Sequence, residues 1–474
     1  MNVNPITRLD YPDPDVIRVE DTYYMVSTTM HFMPGCEILQ SFDLVHWEHA
    51  TYVYETLDHT DAQQLKSGQN IYGQGMWAAS LRYHEGRFYI CFVANDTRKT
   101  YLYTSEKIDG PWKKQLIEGF YHDGSLLFDE DGRNYIVYGN DEIWITELNE
   151  DLTAPKKDGL HRLLVSDHKN PELGYEGSHI QKINGYYYIF LIHSLRDRWM
   201  RTEACFYSDS LEGEFTGGDV LCDDRGYCGQ GVAQGGIVDT PDGKWYAMLF
   251  QDSGAVGRIP ILLPVTWKDH FPVFGQNGHV PEEIEVHSTR PGYIYQPLVG
   301  SDDFCNGLLP RWQFNHDPDP RYYHLDALQG TYTITTREVC TELTQAVNTL
   351  TQRMSYPSCA AEVTVDASAL KDGDVAGLCA FQGCYAAVGI TKHHGKYEVL
   401  MLDKKEDGIL DMTEGTVVES HQMDFRLEAD FCNMKDEARC YYRVNKGDWL
   451  PIGTVHKLYF KLDHFTGCRF GLFC

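Results

Sequence analysis

Over the first three fifths of the chain, apolar and polar residues alternate in short runs separated by Gly, Asp and Asn turns, with almost no amphipathic helical window. One run, Val16-Ile17-Arg18-Val19, follows Pro12-Asp13-Pro14 and passes through the polar turn Glu20-Asp21-Thr22 into Tyr23-Tyr24. The same order returns after Ala78 (Ser80-Leu81-Arg82-Tyr83, a turn at Gly86, Phe88-Tyr89) and after Asp123 (Ser125-Leu126-Leu127-Phe128, a turn at Gly132, Tyr135). It returns again after Glu176 (Ser178-His179-Ile180, a turn at Asn184-Gly185, Tyr187-Tyr188) and after Gln234 (Gly236-Ile237-Val238, a turn at Asp242-Gly243, Trp245-Tyr246). The five starts lie about 45 to 65 residues apart, a period that accommodates one four-stranded sheet each. This predicts a five-bladed β-propeller over residues 1–296. The innermost strand of each blade lines a central channel, so the equivalent lead positions face one another across it. Three of them, Asp13, Asp123 and Glu176, are carboxylates.

The pattern stops around Arg290-Pro291-Gly292, Pro297 and Gly300-Ser301-Asp302-Asp303, which predicts a linker at 297–302. Beyond it come alternating stretches such as Gly330-Thr331-Tyr332-Thr333-Ile334-Thr335, Ala360-Ala361-Glu362-Val363-Thr364-Val365 and Cys440-Tyr441-Tyr442-Arg443-Val444. Turn signals at roughly 8 to 12-residue intervals predict a β-sandwich of the concanavalin-like or jelly-roll type over 303–474. The expected fold class is all-β, a propeller followed by a sandwich.

Composition adds four constraints. A chain of 474 residues exceeds what one core usually holds, in agreement with two domains. Its 31 Tyr and 9 Trp suit strands and equally suit the flat faces of sugars. A net charge of -28, spread along the chain, excludes nucleic acid as a partner, because a polyanion gains nothing by approaching phosphates. No run approaches the roughly 18 apolar residues of a membrane span and no basic-then-apolar leader opens the chain, so no membrane association and a cytoplasmic location are expected. The 14 cysteines are dispersed without CxxC pairs, and many, such as Cys91 and Cys379, sit within apolar strand patterns, as buried reduced thiols do.

Carboxylates facing each other in a partly desolvated cavity cannot all ionise equally, so a proton donor and a proton acceptor coexist near neutral pH. Hydrolysis of a glycosidic bond requires that pair: an acid for the leaving oxygen and a carboxylate that activates water or attacks carbon. Pro12 and Pro14 stiffen the turn that carries Asp13, as suits a base held in one place, whereas Glu176, beside Gly177, has the longer reach of an acid. Other motifs carry little. Gly229-Gln230-Gly231-Val232-Ala233-Gln234 lacks the third glycine and following helix of a dinucleotide loop, and no serine lies in a nucleophile-elbow context.

At these residues the chain resembles glycoside hydrolase family 43. The resemblance runs through Asn4-Pro5-Ile6, Tyr11-Pro12-Asp13-Pro14, Met33-Pro34-Gly35, Ser41-Phe42-Asp43-Leu44-Val45-His46-Trp47 and Met76-Trp77-Ala78. It continues through His122-Asp123-Gly124-Ser125, Glu176-Gly177-Ser178-His179 and Asp239-Thr240-Pro241-Asp242-Gly243-Lys244-Trp245-Tyr246. Asp302-Asp303-Phe304, Trp312-Gln313-Phe314-Asn315-His316 and His464-Phe465-Thr466-Gly467 resemble the sandwich that accompanies many β-xylosidases of the family. The resemblance implies an inverting, exo-acting hydrolase that releases a terminal pentose, α-L-arabinofuranose or β-D-xylose, from arabinoxylan or xylo-oligosaccharides. Asp13 would be the general base, Glu176 the general acid and Asp123 the residue that tunes and orients the acid. The two working carboxyl groups would stand roughly 6.5 to 9.5 Å apart to admit a water.

The resemblance also implies that Arg258 binds substrate hydroxyls and that Met30, Phe32 and Trp77 line the pocket. Met30 departs from the aromatic residue common in the β-xylosidases and His31 from the neighbouring acidic one. The segment Met30-His31-Phe32-Met33-Pro34-Gly35 therefore places arabinofuranosidase ahead of xylosidase, with some of both expected. Many family members ligate a calcium in the channel with a histidine on the fifth blade, where this chain has Gln234. A glutamine carbonyl can bind Ca²⁺ without supplying charge, so a structural calcium is an option and no cofactor is required. Two alternatives are a carbohydrate-binding propeller without catalysis, against which the three retained carboxylates argue, and a retaining propeller enzyme resembling the invertases.

Overall fold

The computed structural model describes residues 2–413, 415–461 and 464–474, and the fold is all-β, as the alternation predicts. Five antiparallel sheets follow one another in chain order. Their inner strands are Asp15–Val19, Met76–His84, Ser125–Phe128, Glu176–Ile183 and Ile237–Asp239. Each pairs with the aromatic-rich strand that the repeat places after its turn. In the fifth sheet the inner strand is broken: Val232–Ala233 and Ile237–Asp239 both pair with Trp245–Asp252, and Gln234-Gly235-Gly236 interrupts them.

Hydrogen bonds link the inner strands into a closed ring. Leu81 N–H donates to Asp15 Oδ2 (2.7 Å), Leu126 N–H to Ser80 Oγ (3.1 Å) and Ile180 N–H to Ser125 Oγ (3.0 Å). Gln181 Nε2 donates to Ile237 O (2.8 Å), and Arg18 Nε reaches Asp239 O (3.1 Å) to close the circle. These five contacts fix the channel on whose rim the lead residues stand.

The remainder is a sandwich. One face is a four-stranded sheet made of Ser358–Asp366, Gln422–Asp430, Glu437–Arg443 and Leu450–Lys457. The other is a larger sheet that runs through Lys396–Lys404, Ala386–His393, Val375–Phe381, Arg469–Phe473, Leu350–Arg353 and Gln313–Asn315. Its last strand is Phe32–Met33, contributed by the propeller through the pairs Phe314↔Met33 and Asn315↔Phe32. The two parts are thus continuous in hydrogen bonding. They are continuous in packing as well, since Ala255, Val256 and Ile259 belong to the apolar cluster that fills the sandwich.

The predicted linker lies in a stretch without strands, between Glu283–Ile284 and Gln313–Asn315, and the residues just before it are strapped to the first sheet. Thr289 N–H donates to Phe42 O (2.8 Å), Gln296 N–H to Glu48 Oε2 (2.8 Å), and Arg290 pairs with Asp21 (2.7 Å). Every cysteine is a free thiol, and seven of them are buried. Among the described residues no helix is long and apolar enough to cross a membrane.

Candidate active site

Asp13 and Asp123 both adopt left-handed backbone conformations (φ 53° and 48°), which short polar side chains tolerate better than most. Asp13 is buried, and Oδ2 accepts a hydrogen bond from Thr28 Oγ1 (2.6 Å) while Oδ1 pairs with Arg258 Nη1 (3.0 Å). The turn that carries it is pinned by Ser27 Oγ donating to Pro12 O (2.7 Å). Both oxygens therefore have fixed partners, and the carboxylate has one orientation.

Asp123 and Glu176 come together through His122. Nε2 of His122 lies 3.4 Å from Glu176 Oε2 and 3.6 Å from Asp123 Oδ2. Asp123 Oδ2 accepts from Gly177 N–H (3.0 Å), the residue next to Glu176, and Asn140 Nδ2 donates to Glu176 Oε2 (2.6 Å). Complete burial raises the Asp123 pKa to about 6; His122 opposes this, and Glu176 and Asp13 add to it. For His122, burial favours the neutral ring, but Asp123 and Glu176 outweigh it and raise its pKa to about 9. Burial alone would raise Glu176 as well, yet the His122 contact and the charges of Arg201 and Arg258 bring it below the ordinary value. The cluster thus keeps a proton on His122 through neutral pH, 3.4 Å from Glu176, while Asp123 binds one only as pH falls below about 6.

Arg258 is 3% exposed and belongs to a buried ionic chain rather than to the surface. Its guanidinium pairs with Asp13, while Nε lies 3.4 Å from Asp252 Oδ1, and Asp252 Oδ2 lies 2.8 Å from Arg201 Nε. Burial disfavours the charged form, and Asp13 and Asp252 more than compensate, so the Arg258 pKa is raised. The face of the guanidinium lies 3.9 Å from the ring centre of Phe465, which comes from the sandwich. The same ring stacks on Trp77 (5.6 Å, 30°), and Trp77 presents an edge to His122 (6.0 Å, 63°). Trp77, Arg258 and Phe465 therefore wall the space beside the acids.

Met30 is fully buried and bridges Met76, the residue before Trp77, by backbone hydrogen bonds of 3.1 and 3.2 Å. Phe32 is packed into the seam with the sandwich, its ring covered by the Arg469 guanidinium at 3.5 Å. His31, between them, is buried among Phe32, Tyr72, His316 and His464.

The sequence reading did not single out His122, Asn140, Thr28, Arg201, Asp252 or Phe465. His122 and Phe465 stand inside motifs it did single out, so adjacency to Asp123 and to Gly467 was the available signal. Thr28, Asn140, Arg201 and Asp252 lie outside those motifs, on other strands or at strand ends.

The donors around Gln234 do not suit calcium. Gln234 N–H donates to Glu203 Oε2 (2.7 Å), burial holds the Glu203 pKa well above the carboxylate range, and the Gln234 side chain packs on Gly177. A calcium ion asks for six to eight oxygens and charge; a neutral acid and an amide offer neither. Deeper in the channel, Asp15 is already paired with Arg82 (2.7 Å) and His179 (3.0 Å). Among the described residues, donor atoms of His122, Asp123 and Glu176 approach within 4.8 Å of one another, a mixed nitrogen and oxygen set unlike a calcium cage.

Two family models match the chain, one described as glycosyl hydrolases family 43 over residues 3–272 and one as the β-xylosidase C-terminal concanavalin A-like domain over residues 301–474. A β-xylosidase of Formosa agariphila is 26% identical over 99% of this chain and 87% of its own length. A solved structure of a bifunctional GH43-CE protein of Bacteroides eggerthii is 42% identical, with a TM-score of 0.93 over 100% of this chain. The present chain spans 61% of that protein. A second structure, of an engineered GH43 glycoside hydrolase described as displaying endo-xylanase and exo-arabinofuranosidase activity, is 28% identical, with a TM-score of 0.87 over 99% of this chain and 96% of its own.

Proposed function

Since the chain belongs to glycosyl hydrolase family 43, we propose that this glycosidase releases a terminal pentose from arabinoxylan or xylo-oligosaccharides by a single displacement with inversion. The observation that carries the reading is the different fixing of the two ends of the site. Asp13 is held by Thr28 and Arg258 in one orientation, whereas Glu176 shares a cluster with His122 and Asp123.

In this mechanism Asp13 takes a proton from a water that attacks the anomeric carbon on the face opposite the leaving group. Thr28 and Arg258 hold the Asp13 carboxyl in one orientation, which limits the water to one line of attack. Glu176 relays to the departing oxygen a proton taken from His122, whose ring lies 3.4 Å from the same carboxylate. Asp123, buried against both, keeps the cluster from losing its protons together. Phe465 and Trp77 offer flat faces to the sugar, and Arg258 offers donors to its hydroxyls. A loop of the sandwich at Phe465 walls the site, which supports exo action on a chain end. No step passes through a metal.

The substrate order proposed is arabinofuranoside ahead of xyloside, because Met30 and His31 replace the aromatic and acidic residues of the xylosidase pattern. Nitrophenyl α-L-arabinofuranoside and β-xyloside test both claims, with the product anomer followed by NMR from the first turnover. Inverted product from either supports the reading. Retained configuration sinks the mechanism, and a folded protein inert toward both glycosides and arabinoxylan oligosaccharides sinks the activity.

A further inference from the structure

Arg82 lies on the inner strand Met76–His84, which carries none of the three acids, yet its guanidinium reaches the strands that follow Asp13 and Asp123 and the strand that Glu176 opens. Nη1 donates to Asp15 Oδ2 (2.7 Å), two residues beyond Asp13. Nη2 donates to Ser125 Oγ (2.6 Å), two residues beyond Asp123, and to Ile180 O (3.2 Å), four beyond Glu176. Nε donates to Leu126 O (2.8 Å), and Nη1 also holds its own strand at Leu81 O (2.6 Å). All three nitrogens are engaged, and the side chain is only 13% exposed.

The partners are themselves tied to one another. Asp15 Oδ1 accepts from His179, three residues beyond Glu176 (3.0 Å), and Ser125 Oγ accepts from Ile180 N–H (3.0 Å). No other side chain could make this set of contacts from one position. A lysine offers one nitrogen in place of a planar fork, and a glutamine offers no charge to Asp15. The inner strands therefore share a fixed cation, supplied by the chain and bonded to the first, third and fourth of them.

We propose that Arg82 is a positioning residue that sets the spacing of Asp13, Asp123 and Glu176 by tying their three strands to one guanidinium. This rests on the proposed assignment of those carboxylates as the acids of the reaction. The physical basis is that base and acid stand on separate sheets, each joined to the next by few hydrogen bonds, so a slip between sheets changes their separation directly. A misplacement of about 1 Å costs on the order of a hundredfold in rate.

The test uses Arg82→Lys and Arg82→Gln in the full chain, each checked for folding by its melting transition. Two readouts are taken: kcat and KM on nitrophenyl α-L-arabinofuranoside, and the pH titration of the His122 ring followed by NMR. The expected result is a folded Arg82→Lys protein whose kcat falls by about a hundredfold while KM changes by less than about threefold. Its His122 titration midpoint shifts downward, because Asp123 and Glu176 move away from the ring. Arg82→Gln should show the same changes at least as strongly.

A folded variant with wild-type kcat and an unmoved His122 titration overturns the proposal. So does a loss of activity matched by the loss of folded protein with His122 unchanged in the folded fraction, which would make Arg82 a scaffold residue only. If the wild-type protein turns over neither glycoside, the functional assignment fails, and the His122 titration still decides whether Arg82 positions the cluster.

Discussion

Nε2 of His122 lies 3.4 Å from Oε2 of Glu176, so one proton serves an imidazole and a carboxylate on neighbouring sheets. With His122 raised to about 9, the folded protein binds that proton more tightly than the unfolded chain does. The stability it contributes is complete below the ordinary histidine value of 6.5 and is lost as pH rises through about 9. Asp123 has the same direction of shift but is neutral when protonated, so the folded state gains as pH falls from about 6 toward 3.8. The descending limb of kcat/KM should accordingly lie near pH 9. His122→Asn should retain a donor to Glu176 but lose the reservoir, and move that limb down by more than about one pH unit. A pH profile of the folded variant that overlays the wild type removes His122 from the mechanism.

Asp13→Asn preserves shape beside Thr28 and Arg258 but cannot accept a proton from water. Turnover should fall by about 10² to 10⁴-fold, with sugar binding nearly intact. Kinetics together with calorimetry on arabinose measure both. More than a few per cent residual activity places the base elsewhere.

Phe465 joins the two parts of the chain at the site. Phe465→Ala removes contacts to Trp77 and Arg258 that such pairs make worth about 0.5 to 1.5 kcal/mol each, so kcat/KM should drop by roughly tenfold. A chain ended at residue 302 should do worse. It exposes Ala255, Val256 and Ile259 and leaves Phe32–Met33 without a partner strand, so it should aggregate on expression, as light scattering would report. A soluble, active 1–302 fragment contradicts this.

Gly467 admits no side chain. A Cβ there would stand 2.2 Å from Val256 O and 2.8 Å from the Asp10 Cβ, while Gly467 N–H is bonded to Asp10 Oδ2 (2.9 Å). The other oxygen of Asp10 accepts from Arg258 N–H (2.7 Å), so this carboxylate clamps the Phe465 loop to the strand of Arg258. Gly467→Ala should destabilise the protein by about 1 to 3 kcal/mol and depress activity even in the folded fraction. Urea unfolding beside initial rates separates the two effects, and unchanged stability refutes the clamp.

Chelation supplies the remaining prediction. Because the donors near Gln234 do not suit calcium and Asp15 is already paired with Arg82 and His179, dialysis against EDTA should leave both kcat and the melting temperature unchanged. Loss of either, restored by calcium, would show that a metal is held after all.

The sequence by itself determined the elements and their order. Period-two alternation and turn residues encode burial strand by strand, so the five repeats, the change of pattern near residue 297 and the lead positions Asp13, Asp123 and Glu176 could all be read from local signals. Arg258 and Trp77 were legible through their motifs. Only the tertiary structure decided which polar group meets which. Asp252 and Arg201 complete the chain from Asp13, Arg82 spans three sheets, and Phe32–Met33 leaves the propeller to extend the sandwich. The reason is physical: a residue's neighbours along the chain fix whether it is buried, but the partner of a buried charge is chosen when the ring of sheets closes and brings distant strands within 3 Å.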